Sequence, residues 1–183
     1  YGPHQGIMVI RRALGELLPN QGHYFNAGSL YKRFTPAGPD HAQIAACAGI
    51  IDYFEALADH HRMHGTATER CSKVHDLMRA HESALLQPLL DFVASKNSVR
   101  MLGSRVASER APTVALDLGK SPAEAAKALA ERGIMADGND FYAVRPLQAL
   151  GIDPEQGVLR LSFVHYTSQT EVDKLITVLE DIL

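Results

Sequence analysis

Tryptophan is absent, and cysteine occurs only twice, as Cys47 and Cys71. Two cysteines so far apart make neither a disulfide framework nor a paired-cysteine metal knuckle, so a reducing compartment, the cytoplasm, is expected. Basic runs are also missing and the formal net charge is -3 at pH 7. The chain therefore lacks the electrostatic footprint of a nucleic-acid or anionic-membrane binder, and a small molecule or a protein is the expected partner. No stretch approaches the roughly 20 apolar residues of a membrane span. The first residues lack the charged and apolar regions of a signal peptide, so no membrane association is expected. Gly-x-Ser-x-Gly turns, P-loops and dinucleotide fingerprints do not occur, which removes the commonest hydrolase, nucleotide and oxidoreductase signals.

What is present is an ordinary globular composition, 46% hydrophobic and 21% charged over 183 residues. Tyr1-Gly2-Pro3-His4-Gln5-Gly6 is turn chemistry with no preceding element to turn away from, and reads as the middle of a longer chain. The apolar run Ile7 to Ile10, bounded by Gly6 and Arg11-Arg12, predicts a buried strand. Residues 19 to 39 carry prolines, glycines and aromatics without period and predict a long loop, the kind of segment in which function tends to lie. Asp40 with Gln43 starts a helix over about 40 to 60, with Ile44, Cys47, Ala48, Ile51 and Phe54 at helical spacing. Thr66 and Glu69 form a second capping box. Val74, Leu77, Met78, His81, Leu85 and Leu89 continue that helix on one face, and Pro88 should kink it.

Beyond residue 98 the period changes. Val99 to Leu102 and Thr113 to Leu118 are strand candidates, the second with Val114, Leu116 and Leu118 on one face. Ser121-Pro122-Ala123-Glu124 combines an N-cap, a first-turn proline and an acidic third position, and Gly133 stands just past the helix end. Val158 to Tyr166 reads as a strand, and Ser168 with Glu171 caps a terminal helix carrying Val172, Leu175, Ile176 and Leu179. The predicted class is α/β (α+β): residues 66 to 183 form a domain whose mainly antiparallel sheet is covered by helices at 121 to 132 and 168 to 182. The domain boundary is drawn near residue 60, dividing the chain into 1-60 and 61-183.

Few side chains qualify for chemistry. His60 and His64 are four apart, but Gly65 ends the helix they would share and no third ligand is near, so no metal site is assigned. Cys47 lies on an apolar helix face and Cys71 lacks a nearby base. Arg160 stands out. Alternation in its strand turns Leu159, Leu161 and Phe163 to one face and Arg160 with Ser162 to the other. A guanidinium in an apolar strand needs an anionic partner. An internal ion pair is the commoner arrangement; the alternative is a fork that holds a substrate carboxylate bidentately. The loop Thr35-Pro36-Ala37-Gly38-Pro39-Asp40 runs straight into a helix N-terminus, which favours a phosphate, although Asp40 could cap the same donors with its own charge.

Taken in order, these motifs resemble the C-terminal part of class V aminotransferases, in the cysteine desulfurase-like branch of fold-type-I pyridoxal-phosphate enzymes. Tyr1 to Gly6 looks like the loop after the Schiff-base lysine, with Ile7 to Ile10 as the next sheet strand. Arg33 to Asp40 is similar to the family's loop that reaches the cofactor phosphate of the partner subunit. Val158-Leu159-Arg160-Leu161-Ser162-Phe163 through Glu171-Val172-Asp173 is similar to its arginine strand and following helix. The resemblance implies that Arg160 binds the α-carboxylate of an amino-acid substrate, and that Gly38, Pro39, Asp40 and His41 flank the cofactor phosphate. It also implies a homodimer, a small C-terminal domain, and an N-terminal remnant of the large cofactor domain in residues 1-60. The cofactor, pyridoxal 5'-phosphate, serves such enzymes as an electron sink.

Three departures qualify that expectation. Pro39 replaces the family's phosphate-binding threonine and has no N–H. The loop Asp137 to Tyr142, where desulfurases place a persulfide cysteine, has none. None of the six lysines, Lys32, Lys73, Lys96, Lys120, Lys127 and Lys174, occupies the Schiff-base position. A truncated piece of the parent enzyme, inactive by itself and without bound cofactor, is therefore expected, with a non-enzymatic α/β association domain as the alternative.

Overall fold

The computed structural model describes residues 4–35 and 38–183. Tyr1 to Pro3 of the opening loop and Pro36-Ala37 of the phosphate-type loop lie outside the described residues. The chain divides into two compact units, Tyr1–Val74 and His75–Leu183.

The first unit holds helix α1 (Arg12–Leu17), a single 3-10 turn at Tyr24–Asn26, helix α2 (His41–His60) and the opening turns of helix α3 (Ala67–Ala94). The strand expected over Ile7 to Ile10 is not formed: residues 4–11 have no regular structure, and Ile7, Met8 and Val9 are exposed. An extended segment is held as a strand by a neighbour's hydrogen bonds, and the described residues of this unit contain no strand to provide them. The two helices foreseen here do form. Asp40 caps α2 by accepting from the N–H groups of Ala42 and Gln43 at 3.0 and 3.1 Å. Thr66 and Glu69 cap α3 reciprocally, and Arg70 pairs with both Glu55 and Asp59 of α2. The apolar stripe of α2 is mostly uncovered: Ile44 and Ile51 are exposed, and Ala58 is the helix's one fully buried residue.

α3 continues past Pro88 as one 28-residue helix, although proline removes one rung of its hydrogen-bond ladder. In the second unit its Leu86, Leu89, Leu90 and Val93 cover a sheet of strands β1 (Arg100–Leu102), β2 (Thr113–Asp117), β3 (Asp137–Asn139) and β4 (Val158–Ser162). The spatial order is β1-β2-β4-β3 and every pairing is antiparallel. Helices α4 (Pro122–Glu131) and α6 (Gln169–Ile182) close the same face, packing Ala125, Leu129, Leu175 and Leu179 on Val114, Leu116, Leu159 and Leu161. The antiparallel sheet and its helical cover agree with the expectation, with β4 ending at Ser162 rather than Tyr166. Ser121 caps α4 through Glu124 N–H, and Gly133 takes the left-handed φ of 73° that ends it.

The opposite face is more lightly covered. There Leu147 of helix α5 (Val144–Ala149), Ile152 and Val158 form a small cluster that includes Ala115 and Phe141. β3 and α5 were not anticipated. β3 is built from Asp137-Gly138-Asn139, residues poor in strand propensity, and exists because β4 pairs with it. Gly138 is obligatory there: a Cβ would lie 2.3 Å from the backbone of Pro122 at the start of α4. No helix among the described residues is long and apolar enough to cross a membrane.

Candidate functional site

Arg160 sits mid-strand in β4, opposite Ala115 of β2 on one side and Asp137 of β3 on the other. Its neighbours Leu159 and Leu161 are buried while Arg160 itself is exposed, as the alternation predicts. No ion pair holds it among the described residues. Asp137, the carboxylate across the strand, is engaged locally: its oxygens accept from Gly138 N–H at 2.8 Å and from Asn139 Nδ2 at 2.7 Å. The guanidinium instead lies over the ring of Phe141, with Cζ 3.9 Å from the ring centre. Arg160 and Phe141, together with Asp137, Asn139, Asp140 and Tyr142, line an open cleft of about 390 Å³. A guanidinium with one face on an aromatic ring and its N–H edge unspent is suited to receive a carboxylate or phosphate.

The loop 19–41 is the second candidate, in the other unit. Its fold is set by local hydrogen bonds. Gln21 and Gly22 N–H both donate to Arg33 O, the Asn20 amide donates to Gly22 O and His23 O, and the Arg33 guanidinium donates to Leu18 O at 2.6 Å. Gly38, Pro39 and His41 border a cleft of about 480 Å³ together with His23, Tyr31 and Lys32. Asp40 stands aside from that lining, and its carboxylate occupies the amide donors at the start of α2. Pro39 lacks an N–H and Asp40 adds a negative charge, and both work against a phosphate at this helix start.

The remaining candidates stay apart. α2 ends at His60, so His60 and His64 do not share a helix face. Cys47 Sγ points back to Gln43 O, and both cysteines are half-buried free thiols. Among the described residues no three metal-ligating side chains converge. Sequence reasoning overlooked Arg110, whose guanidinium donates to the carbonyls of Ser104, Leu102 and Thr113 at 2.6 to 3.1 Å and ties the β1–β2 connection shut. Burial lowers its pKa from the ordinary arginine value. It also overlooked Phe141; the Asn139-Asp140 pair, a turn signal, was the available hint.

The sequence profile of the family described as Aminotransferase class-V matches residues 42–175, more than half of the chain. The chain belongs to this family. The matched span begins at the second residue of α2, takes in the Arg160 strand of this class V chain and reaches Leu175 of α6. Over its whole length it is 27% identical to the aminotransferase-like protein FGM3 of Gibberella zeae, of which it covers 44%. Among solved structures it is similar to the apo cysteine desulfurase of Thermococcus onnurineus NA1, with a TM-score of 0.52 and 23% identity over 63% of this chain and 29% of that one. That likeness shows the fold. The chain thus spans less than half the length of the relatives it matches.

Proposed function

We propose that the chain supplies the substrate-carboxylate clamp of a pyridoxal-phosphate-dependent class V aminotransferase or cysteine desulfurase-like enzyme acting on an amino acid, with Arg160 as the clamp. The observation that carries this reading is the state of Arg160: exposed, central in its strand, free of any ion pair among the described residues, and lining a cleft. In this reading residues 61–183 are the small domain, residues 1–60 belong to the cofactor domain, and the enzyme is a cytoplasmic homodimer.

Pyridoxal phosphate itself does not fit the residues of this chain alone. Asp40 takes the N–H groups of Ala42 and Gln43 at the start of α2 and sets a negative charge beside Gly38, Pro39 and His41. The cofactor is accordingly assigned to the whole enzyme. The absence of cysteine from Asp137 to Tyr142 disfavours desulfuration by persulfide.

The test is steady-state kinetics of the protein as its gene encodes it. Losing a charge-assisted bidentate contact costs roughly 1.5 to 3 kcal/mol, so Arg160→Ala should raise KM for the amino acid about 10- to 100-fold with cofactor content unchanged. An unaltered KM would discard the clamp.

A further inference from the structure

The aromatic ring beside Arg160 is too well anchored to be incidental. Asn139 and Asp140 make consecutive side-chain turns: Asn139 Oδ1 accepts from Phe141 N–H at 2.6 Å and Asp140 Oδ1 from Tyr142 N–H at 3.3 Å. These turns hold Phe141 and Tyr142 at φ of 51° and 58°. The left-handed region is unfavourable for a residue with a side chain, and such strain persists where surrounding structure over-determines it. Here the Phe141 ring joins the cluster of Leu147, Ile152 and Val158, which fixes its position against β4. The Asp137 carboxylate across the strand accepts from Gly138 and Asn139 and makes no ion pair with Arg160.

We propose that Phe141 is the positioning residue for Arg160: its ring takes one face of the guanidinium, so that the N–H edge is held open for a monocarboxylate. This rests on the carboxylate reading of Arg160 and adds to it a device that has no counterpart in charge. A flexible arginine loses side-chain entropy when it binds. A guanidinium already lying on a ring has given up part of that freedom before the ligand arrives, and the ring leaves the in-plane donors untouched.

The experiment is an NMR titration of the 183-residue chain with acetate, followed at the Arg160 Nε–Hε resonance. In the wild type that resonance should carry a ring-current displacement and move on adding acetate. Phe141→Leu keeps the apolar anchor and removes the aromatic face. It should abolish the displacement and weaken acetate binding by about two- to fivefold, the order of the cost of ordering one freed side chain. Phe141→Tyr restores the face and should restore both. Equal acetate affinity in wild type and Phe141→Leu overturns the positioning role and leaves the clamp standing. An Arg160 resonance that ignores acetate in the wild type overturns the clamp and the positioning role together. Should Phe141→Leu not fold, Phe141→Trp decides: its larger face should tighten acetate binding, and unchanged or weaker binding counts against the proposal.

Discussion

Arginines divide the work of the second unit between them. Arg110 spends its guanidinium on three backbone carbonyls, whereas Arg160 spends its own on an aromatic face and leaves the edge open. The difference is one of surroundings. Arg110 lies in a turn whose carbonyls converge on it, and Arg160 lies in a strand whose carbonyls are already used by β2 and β3. Arg110→Met should therefore destabilise the unit by about 2 to 4 kcal/mol in urea unfolding, because carbonyls lose charge-assisted donors. Arg110→Lys should recover only part of it, since a point charge cannot serve three carbonyls with a fork's geometry. A loss below 0.5 kcal/mol, the usual range of a surface substitution, would remove Arg110 from the structural account.

At the scale of elements, the helices are fixed by their caps. Glu69 accepts from Thr66 N–H and Oγ1, and Glu171 accepts from Ser168 N–H and Oγ. Those hydrogen bonds, the backbone one foremost, favour the ionised carboxylate and hold both groups below the usual glutamate value. A depressed folded-state value means that the contribution is complete above the unfolded value and is lost as pH falls through the folded one. Glu171→Gln should consequently be less stable than wild type at pH 7, with the gap closing in acid. Urea unfolding at neutral and acid pH measures this, and a gap of constant size would refute the linkage. Ser121, which caps α4 by a single bond from Glu124 N–H, should cost about 1 kcal/mol when replaced by alanine.

For the whole molecule the first unit is the telling one. Ile7, Val9, Leu17, Tyr24, Phe25 and Tyr31 are exposed there, and large apolar side chains gathered at a surface are what an interface covers. Light scattering should give twice the chain mass of 20.0 kDa, and a monomer at high concentration would end the homodimer proposal. The same contrast separates what the sequence by itself determined from what tertiary structure decided. The starts of α2, α3, α4 and α6 were legible because a cap and its donors lie within three or four residues, and the faces of β2 and β4 because a strand alternates at every step. Ile7 to Ile10 had strand-like residues and made no strand, while Asp137-Gly138-Asn139 had poor ones and did. Strand formation depends on hydrogen bonds to a neighbour that local sequence does not name. The same holds for Arg160: its side of the sheet followed from alternation, but the ring that faces it came only with the pairing of β3 on β4.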